Sequence, residues 1–448
     1  MSDSGGRLHW IVGGYRKIRG IAGDVAWSMV EQVLALGASF VSFILLGREL
    51  GVVGYGLYAS MYALIGPLSG LSYSGIMLAV LQHVVRNRED PTAVAASTLS
   101  WSLLLGGIVG AAGLLLSRVV VADLSIWIVL AFIVSEMIAV PLIDIASAML
   151  QSCIGYAAAV RIRIIPLITK IVVIIALALF GALELRWLAL VNVIVVFLVA
   201  FAALAYSGHR LGIRLRPGAM QRQHLKTGLT FSSAIVTSSL TNDGDKVVMS
   251  SYGYRVDVGL YNAAYRVLGF ASMPLWALVA STHQRFLEHD DGARSQHVRR
   301  SLKFSIPAAS YAFLVAVVMF FAAPQLKFLL GDEFSDAIPM VRALAPMLML
   351  RAMSAFALNG LMGLGRTGVQ AAINIASAVL SMSLYLVFIP LWGWKGAVVA
   401  TLIVEVVLAI TTWTMLIRLE RKHDREADAQ RAAADSAADT DATAPAVI

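Results

Sequence analysis

The chain has 448 residues, of which 59% are apolar and only 14% charged, with a mean hydropathy of +0.78 and a formal net charge of +8. A water-soluble protein carries roughly a quarter of its residues charged, so a soluble enzyme is excluded as a description of the whole chain. Cys153 is the single cysteine, which excludes disulfides within the chain and cysteine-rich metal sites.

Residues 1–24 hold Arg7, Arg16, Lys17 and Arg19 but no apolar segment ending in a small-residue cleavage site, and read as a cytoplasmic N-tail. Apolar runs long enough to cross a hydrocarbon core of about 30 Å follow at 25–47, 58–82, 92–116, 124–149, 164–183 and 187–206. The stretch 207–227 is basic and is the longest polar interruption. Six more runs come after it, at 228–251, 259–282, 302–323, 337–360, 369–390 and 395–417. Beyond 418 the chain turns charged and then rich in alanine and aspartate, and reads as a disordered C-tail, 418–448. The expected architecture is an all-α membrane protein of about twelve transmembrane helices in two six-helix lobes, an N-lobe over 25–206 and a C-lobe over 228–417.

Cytoplasmic loops retain basic residues. One alternating set of connections carries Arg86 and Arg88, then Arg161, Arg163 and Lys170, then Arg210, Arg214, Arg216, Arg222 and Lys226, then Arg285, Arg294, Arg299, Arg300 and Lys303. The other set holds single cations: Arg48, Arg118, Arg186, Arg255, Lys327 and Lys395. The rule puts both termini in the cytoplasm and accounts for the positive charge without nucleic acid. An internal repeat supports the two lobes. Gly56, Leu57, Tyr58, Tyr62 and Gly66 recur with the same spacing 203 residues later, as Gly259, Leu260, Tyr261, Tyr265 and Gly269. MLQSCIG (149–155) is echoed more weakly by ALNGLMG (357–363). An even number of spans per repeat makes the repeat parallel, about an axis along the membrane normal.

GRELGVVGYGLYASM (47–61), SSLTNDGDKVVMSSYGYRVDVGLYNAAYRVLG (238–269), FLLGDEFSDAIPMVRALAP (328–346) and LNGLMGLGRTG (358–368) together resemble the Wzx-like polysaccharide and oligosaccharide flippases of the multidrug/oligosaccharidyl-lipid/polysaccharide (MOP) exporter superfamily. The resemblance runs over about 25–417 in the family's order. It implies two lobes around a central cavity and alternating access. It also implies a bacterial inner-membrane protein that transfers an undecaprenyl-diphosphate-linked oligosaccharide between leaflets for O-antigen, exopolysaccharide or capsule synthesis. Expected partners are the lipid-linked oligosaccharide, membrane lipids and a glycan polymerase or glycosyltransferases of the same pathway. The alternative within the superfamily is an ion-coupled multidrug exporter. The chain departs from the lipid II flippase branch, with about twelve spans in place of fourteen and no intramembrane cation expected in its first lobe.

Charged groups are costly inside a bilayer, and those retained face a cavity or a partner. In the C-lobe, Lys246, Asp245, Arg266 and Arg351 are the candidate substrate-binding residues. Arg266 and Asp245 lie at similar depths on adjacent spans, and a structural ion pair between them is the plain alternative. Arg351 has no local counter-charge and offers a guanidinium fork to diphosphate oxygens, with Glu405 as its alternative partner. In the N-lobe, Glu31 and Glu136, and less so Asp144, have no obvious basic partner and are candidates for H⁺ or Na⁺ coupling. No other cofactor is expected. GLGRTG (363–368) follows a hydrophobic span, not a strand, no GxxxxGK[ST] loop is present, and the eight histidines show no paired-ligand spacing, so nucleotide and metal chemistry are not expected.

Overall fold

A backbone in hydrocarbon has no water to bond, so long apolar runs satisfy their N–H and C=O groups internally as helices. The computed structural model describes residues 4–287 and 296–442, with side chains from 27 onward except 283–285, 287, 427 and 430–442. Among the described residues every regular element is helical. The basic residues Arg7, Arg16, Lys17, Arg19, Arg285 and Arg294, expected to mark the cytoplasmic side, lie outside the described side chains.

In chain order the helices are α1 (Ser4–Ser69), α2 (Gly75–Leu81), α3 (Pro91–Val120), α4 (Ile126–Val134), α5 (Val140–Cys153), α6 (Tyr156–Leu179), α7 (Leu185–Leu211) and α8 (Arg222–Ser251). They continue as α9 (Arg255–Ala271), α10 (Met273–Leu287), α11 (His297–Ala322), α12 (Leu326–Leu330), α13 (Ala337–Leu344), α14 (Met347–Gly363), α15 (Thr367–Trp392) and α16 (Trp394–Ala442). π-Helical turns at Gly70–Ser74 and Ser135–Ala139 join α1 to α2 and α4 to α5, and a third, Gln82–Arg86, ends α2. Nine helices are long and apolar enough to cross a membrane among the described residues, and ten when α9 and α10, bent by 50°, are taken as one broken span.

The two further spans expected from the sequence are accounted for physically. Trp27–Arg86 is one continuous stretch of 60 residues, about 90 Å of helix, or three hydrocarbon thicknesses. It breaks at Gly51, whose φ of 63° leaves the right-handed helical region. The expected spans 25–47 and 58–82 lie on either side of that break. The other, α8, is 30 residues long but rich in Ser, Thr and charge. Its hydroxyls bond back along the helix, Thr230 to the Lys226 carbonyl at 2.9 Å, Thr237 to that of Ser233 at 2.6 Å and Thr241 to that of Thr237 at 3.0 Å.

The helices form two compact units, Met1–Ala263 with Leu326–Asp336, and Ala264–Gln325 with Ala337–Ile448. In the first, α8 packs on the second half of α1 and on α2 through small residues. A Cβ on Gly75 would stand 2.1 Å from the Gly228 carbonyl oxygen, and one on Gly70 2.9 Å from the Val236 side chain. Such close approach replaces the hydrophobic effect as the source of helix association in lipid. Segment 326–336 folds onto α1: Arg48 donates from Nε to the Leu329 carbonyl at 2.7 Å and from Nη2 to that of Phe328 at 2.6 Å. Tyr55 meets the Phe334 ring edge-on at 6.1 Å.

In the second unit, α11, α14, α15 and α16 enclose a core of Ala357, Leu361, Ile373 and Leu416. The Ser301 hydroxyl donates to the Phe356 carbonyl at 3.0 Å. α16 continues as helix to Ala442, through the first part of the segment 418–448 expected to be disordered, in keeping with the high helix propensity of its Ala, Glu, Gln and Arg residues. Its Glu420 is buried and accepts from the Val298 N–H at 3.0 and 3.1 Å. Residues 443–448 lie outside the described residues.

Candidate functional site

Among the described residues, Glu31, Glu136, Asp144, Asp245, Lys246 and Arg351 fall into three polar clusters. Two lie in the first unit, on helices α1, α5, α6 and α8 and the π-turn at Ser135–Ala139. Glu31 on α1 meets Arg163 on α6, Oε1 to Nε at 2.9 Å, and its Oε2 accepts from Arg163 Nη2 and from the Tyr156 hydroxyl, each at 3.1 Å. The guanidinium also lies over the Tyr156 ring, 5.0 Å from its centroid. One turn-pair further along α6, Lys170 donates to the Tyr62 hydroxyl at 3.3 Å, and Tyr62 in turn donates to Glu136 Oε1 at 3.1 Å. Lys170 Nζ is 4.6 Å from the Tyr62 ring centroid. Asp144 lies within electrostatic reach of both Arg163 and Glu136. With every group ionised this first cluster sums to three carboxylates against two cations.

Two expectations are overturned here. Glu31 does have a basic partner, and the first lobe does hold intramembrane cations. The positive-inside pattern assigned Arg163 and Lys170 to a cytoplasmic loop, whereas α6 begins at Tyr156. Lys170 therefore lies about 21 Å along the helix. Charge alone does not tell a loop cation from one held on a span by a carboxylate of another helix.

The second cluster is built within α8. Lys246 Nζ donates to the Asn242 carbonyl at 2.7 Å and to Asp243 Oδ1 at 2.9 Å, with Asp245 Oδ1 at 3.6 Å. Lys246 and Asp245 are both buried. The (i, i+3) spacing of Asp243 and Lys246 puts them on one helix face. Asp245 belongs to the first unit and Arg266 to the second, and the carboxylate nearest neighbour given by its own helix is Lys246.

The third cluster is in the second unit. Arg351 on α14 donates from Nε to Glu405 Oε1 on α16 at 2.6 Å, and its guanidinium carbon is 6.0 Å from the Tyr265 ring on α9. Glu405 is buried and Arg351 half-buried. The counter-charge that Arg351 lacks locally in sequence is thus supplied 54 residues away. This bond engages Nε. Arg266, on the same helix as Tyr265, has an exposed side chain.

These clusters can hold an anionic group between fixed cations, or exchange a proton through carboxylates and tyrosine hydroxyls. A model of the family described as "Polysaccharide biosynthesis protein" matches residues 21–282, more than half of the chain. No curated protein matches. In fold the chain resembles an inward-facing multidrug resistance MATE transporter of the MOP superfamily, at TM-score 0.67 and 17% identity, covering 86% of this chain and 95% of the other. It also resembles the lipid II flippase MurJ in an inward closed conformation, at TM-score 0.65 and 16% identity, covering 90% of each chain. A third likeness is to a MOP transporter from Pyrococcus furiosus whose binding pocket is described as having reverse polarity, at TM-score 0.54 and 14% identity, covering 90% and 94%. Identities this low establish the shared fold alone. The chain is a multi-pass membrane protein with the MOP transporter fold, and it belongs to the polysaccharide biosynthesis protein family.

Proposed function

We propose that this protein carries lipid-linked oligosaccharide repeat units between the leaflets of a bacterial inner membrane, by alternating access and with both termini in the cytoplasm. The observation that carries the reading is the polysaccharide biosynthesis family match on a chain with the MOP transporter fold. The chemistry of the clusters supports it. A diphosphate entering a bilayer interior needs its charge compensated, and Arg351, oriented by Glu405 through Nε, offers its remaining donors to phosphate oxygens. Arg266 adds a second cation in the same unit. Lys246 bonds Asp243 and lies 3.6 Å from Asp245 within α8, which gives this trio a structural part. The spare carboxylate of the Glu31, Glu136 and Asp144 group supports H⁺ or Na⁺ as the driving ion.

That same acidic network favours one competing reading, an ion-coupled exporter of amphipathic cations. The experiment that separates them is complementation of strains lacking their own oligosaccharide flippase, with surface glycan and membrane protein level both measured. Restored glycan display, lost in Arg351→Ala at normal protein level, supports the flippase. Efflux of a cationic dye without restored display in any such strain favours the exporter.

A further inference from the structure

Two of the eight histidines, which show no paired-ligand spacing in the sequence, are buried together. His83, in the π-turn Gln82–Arg86, and His224, in the first turn of α8, are 3% and 1% exposed, and they converge on Glu89 in the connection before α3. His83 Nδ1 is 2.6 Å from Glu89 Oε1, and His224 Nε2 is 2.9 Å from Glu89 Oε2. The two imidazoles meet edge to face with centroids 4.4 Å apart. All three elements belong to the first unit.

We propose that His83, Glu89 and His224 form a binding site for a divalent transition-metal ion of the zinc class. The geometry is the first argument. One nitrogen from each histidine and a carboxylate oxygen all lie within 4.8 Å of one another. Bonds of about 2.0–2.2 Å to a central tetrahedral ion put its ligand atoms roughly 3.3–3.5 Å apart. The two contacts to Glu89, 2.6 and 2.9 Å, are shorter than that, so seating an ion parts these ligand atoms by about 0.4–0.9 Å. The donor set is the second argument: two imidazoles with one carboxylate suit zinc and its neighbours, whereas calcium and magnesium take oxygen ligands.

The surroundings of His83 are arranged as the outer shell of such a site, while the buried His224 Nδ1 has no hydrogen-bond partner among the described residues. His83 Nε2 is 3.0 Å from the Thr227 hydroxyl, which fixes the ring and leaves Nδ1 to face Glu89, the orienting contact that ligating histidines make with their second nitrogen. The Asn87 side-chain amide lies 3.2 Å from His83 Nδ1 and 3.4 Å from Glu89 Oε1. A half-turn of that amide brings its oxygen to the same point as a fourth donor. The Gln223 amide donates to Glu89 Oε2 at 3.2 Å. The backbone is bent to achieve this. Arg88 has φ 56°, and it is the single non-glycine residue with positive φ among the described residues. Strain of this kind persists where the surrounding structure over-determines it. The Glu89 side chain is 26% exposed, so an ion has an entry path. A bound ion would staple the connection between α2 and α3 to the start of α8, apart from the intramembrane clusters.

The test uses the full-length, tag-free protein in detergent, stripped with chelator and titrated with buffered Zn²⁺ and, separately, Co²⁺. The wild type should bind one Zn²⁺ per chain, give the visible absorption of a four-coordinate Co²⁺ site and unfold at a higher temperature with Zn²⁺. Glu89→Gln keeps the carboxyl's shape and His224→Ala removes a ligand; each should weaken binding at least about tenfold and abolish the thermal shift, while His209→Ala should not. Wild-type binding well below one equivalent would overturn the proposal, and so would a Glu89→Gln protein that is folded and binds as tightly as the wild type.

Discussion

Gly56 and Gly259, the paired first glycines of the internal repeat, lie against each other where α1 meets α9 in the first unit. A Cβ on Gly56 would stand 2.3 Å from the Arg255 carbonyl oxygen and 3.0 Å from Gly259 N, and one on Gly259 2.3 Å from the Val52 carbonyl oxygen. The contact is reciprocal, each repeat presenting the same glycine to the other. Beside it the Asn262 amide donates to the Tyr55 hydroxyl at 2.8 Å. A sequence echo over 203 residues is thus also a packing contact, and helices approach this closely only where a side chain is missing.

Replacing either glycine by alanine should therefore separate α1 from α9. Overpacking costs about 1–3 kcal/mol, and here the obstruction is backbone, which cannot rotate away. Gly56→Ala and Gly259→Ala should each lower the unfolding temperature in detergent. The double mutant should lose less than the sum, because one alanine already opens the contact for both. Unchanged melting in both single mutants would refute the packing account.

The Glu31 and Arg163 pair can be tested by a double-mutant cycle. Both side chains are 20% exposed, between the surface case, worth about 0–1 kcal/mol, and the buried case, where removing one partner costs about 3–5 kcal/mol. Arg163→Gln should lower the level of folded protein in the membrane. Adding Glu31→Gln should restore most of it, since no uncompensated carboxylate remains. Absence of rescue would show that each residue acts alone.

Tyr62 links Lys170 to Glu136, and Tyr62→Phe removes both hydrogen bonds while keeping the aromatic face under Lys170. If this network carries the driving ion, the phenylalanine protein should fold normally and transport more slowly under the same gradient. Glu136→Gln should abolish the dependence on that gradient altogether. Uptake into vesicles at imposed proton and sodium gradients reads both effects, and unaltered gradient dependence in Glu136→Gln removes the residue from coupling.

Arg351 and Glu405 separate a structural from a substrate role. If the pair only holds α14 to α16, Arg351→Ala with Glu405→Gln should recover activity as well as protein level. If the guanidinium meets substrate, the double mutant should recover level but not glycan display, and Arg351→Lys should be impaired because an ammonium lacks the fork. The ratio of display to protein level decides.

Hydropathy and glycine spacing made much of this protein legible beforehand. Apolar runs determine helices because hydrocarbon tolerates no unpaired backbone, and the repeat of Gly56 and Tyr58 at Gly259 and Tyr261 is visible without coordinates. What the sequence could not decide was partnership. Arg163 and Lys170 looked like loop cations because their counter-groups, Glu31 and Tyr62, lie more than a hundred residues away. Arg351 looked unpaired until α16 brought Glu405 beside it. His83 and His224 meet across 141 residues through Glu89, with no spacing that a motif would record. Local sequence determines which helix a charge rides on. Only the packing of helices determines which charge it faces, because electrostatic and hydrogen-bond energies depend on distances in space that chain separation does not set.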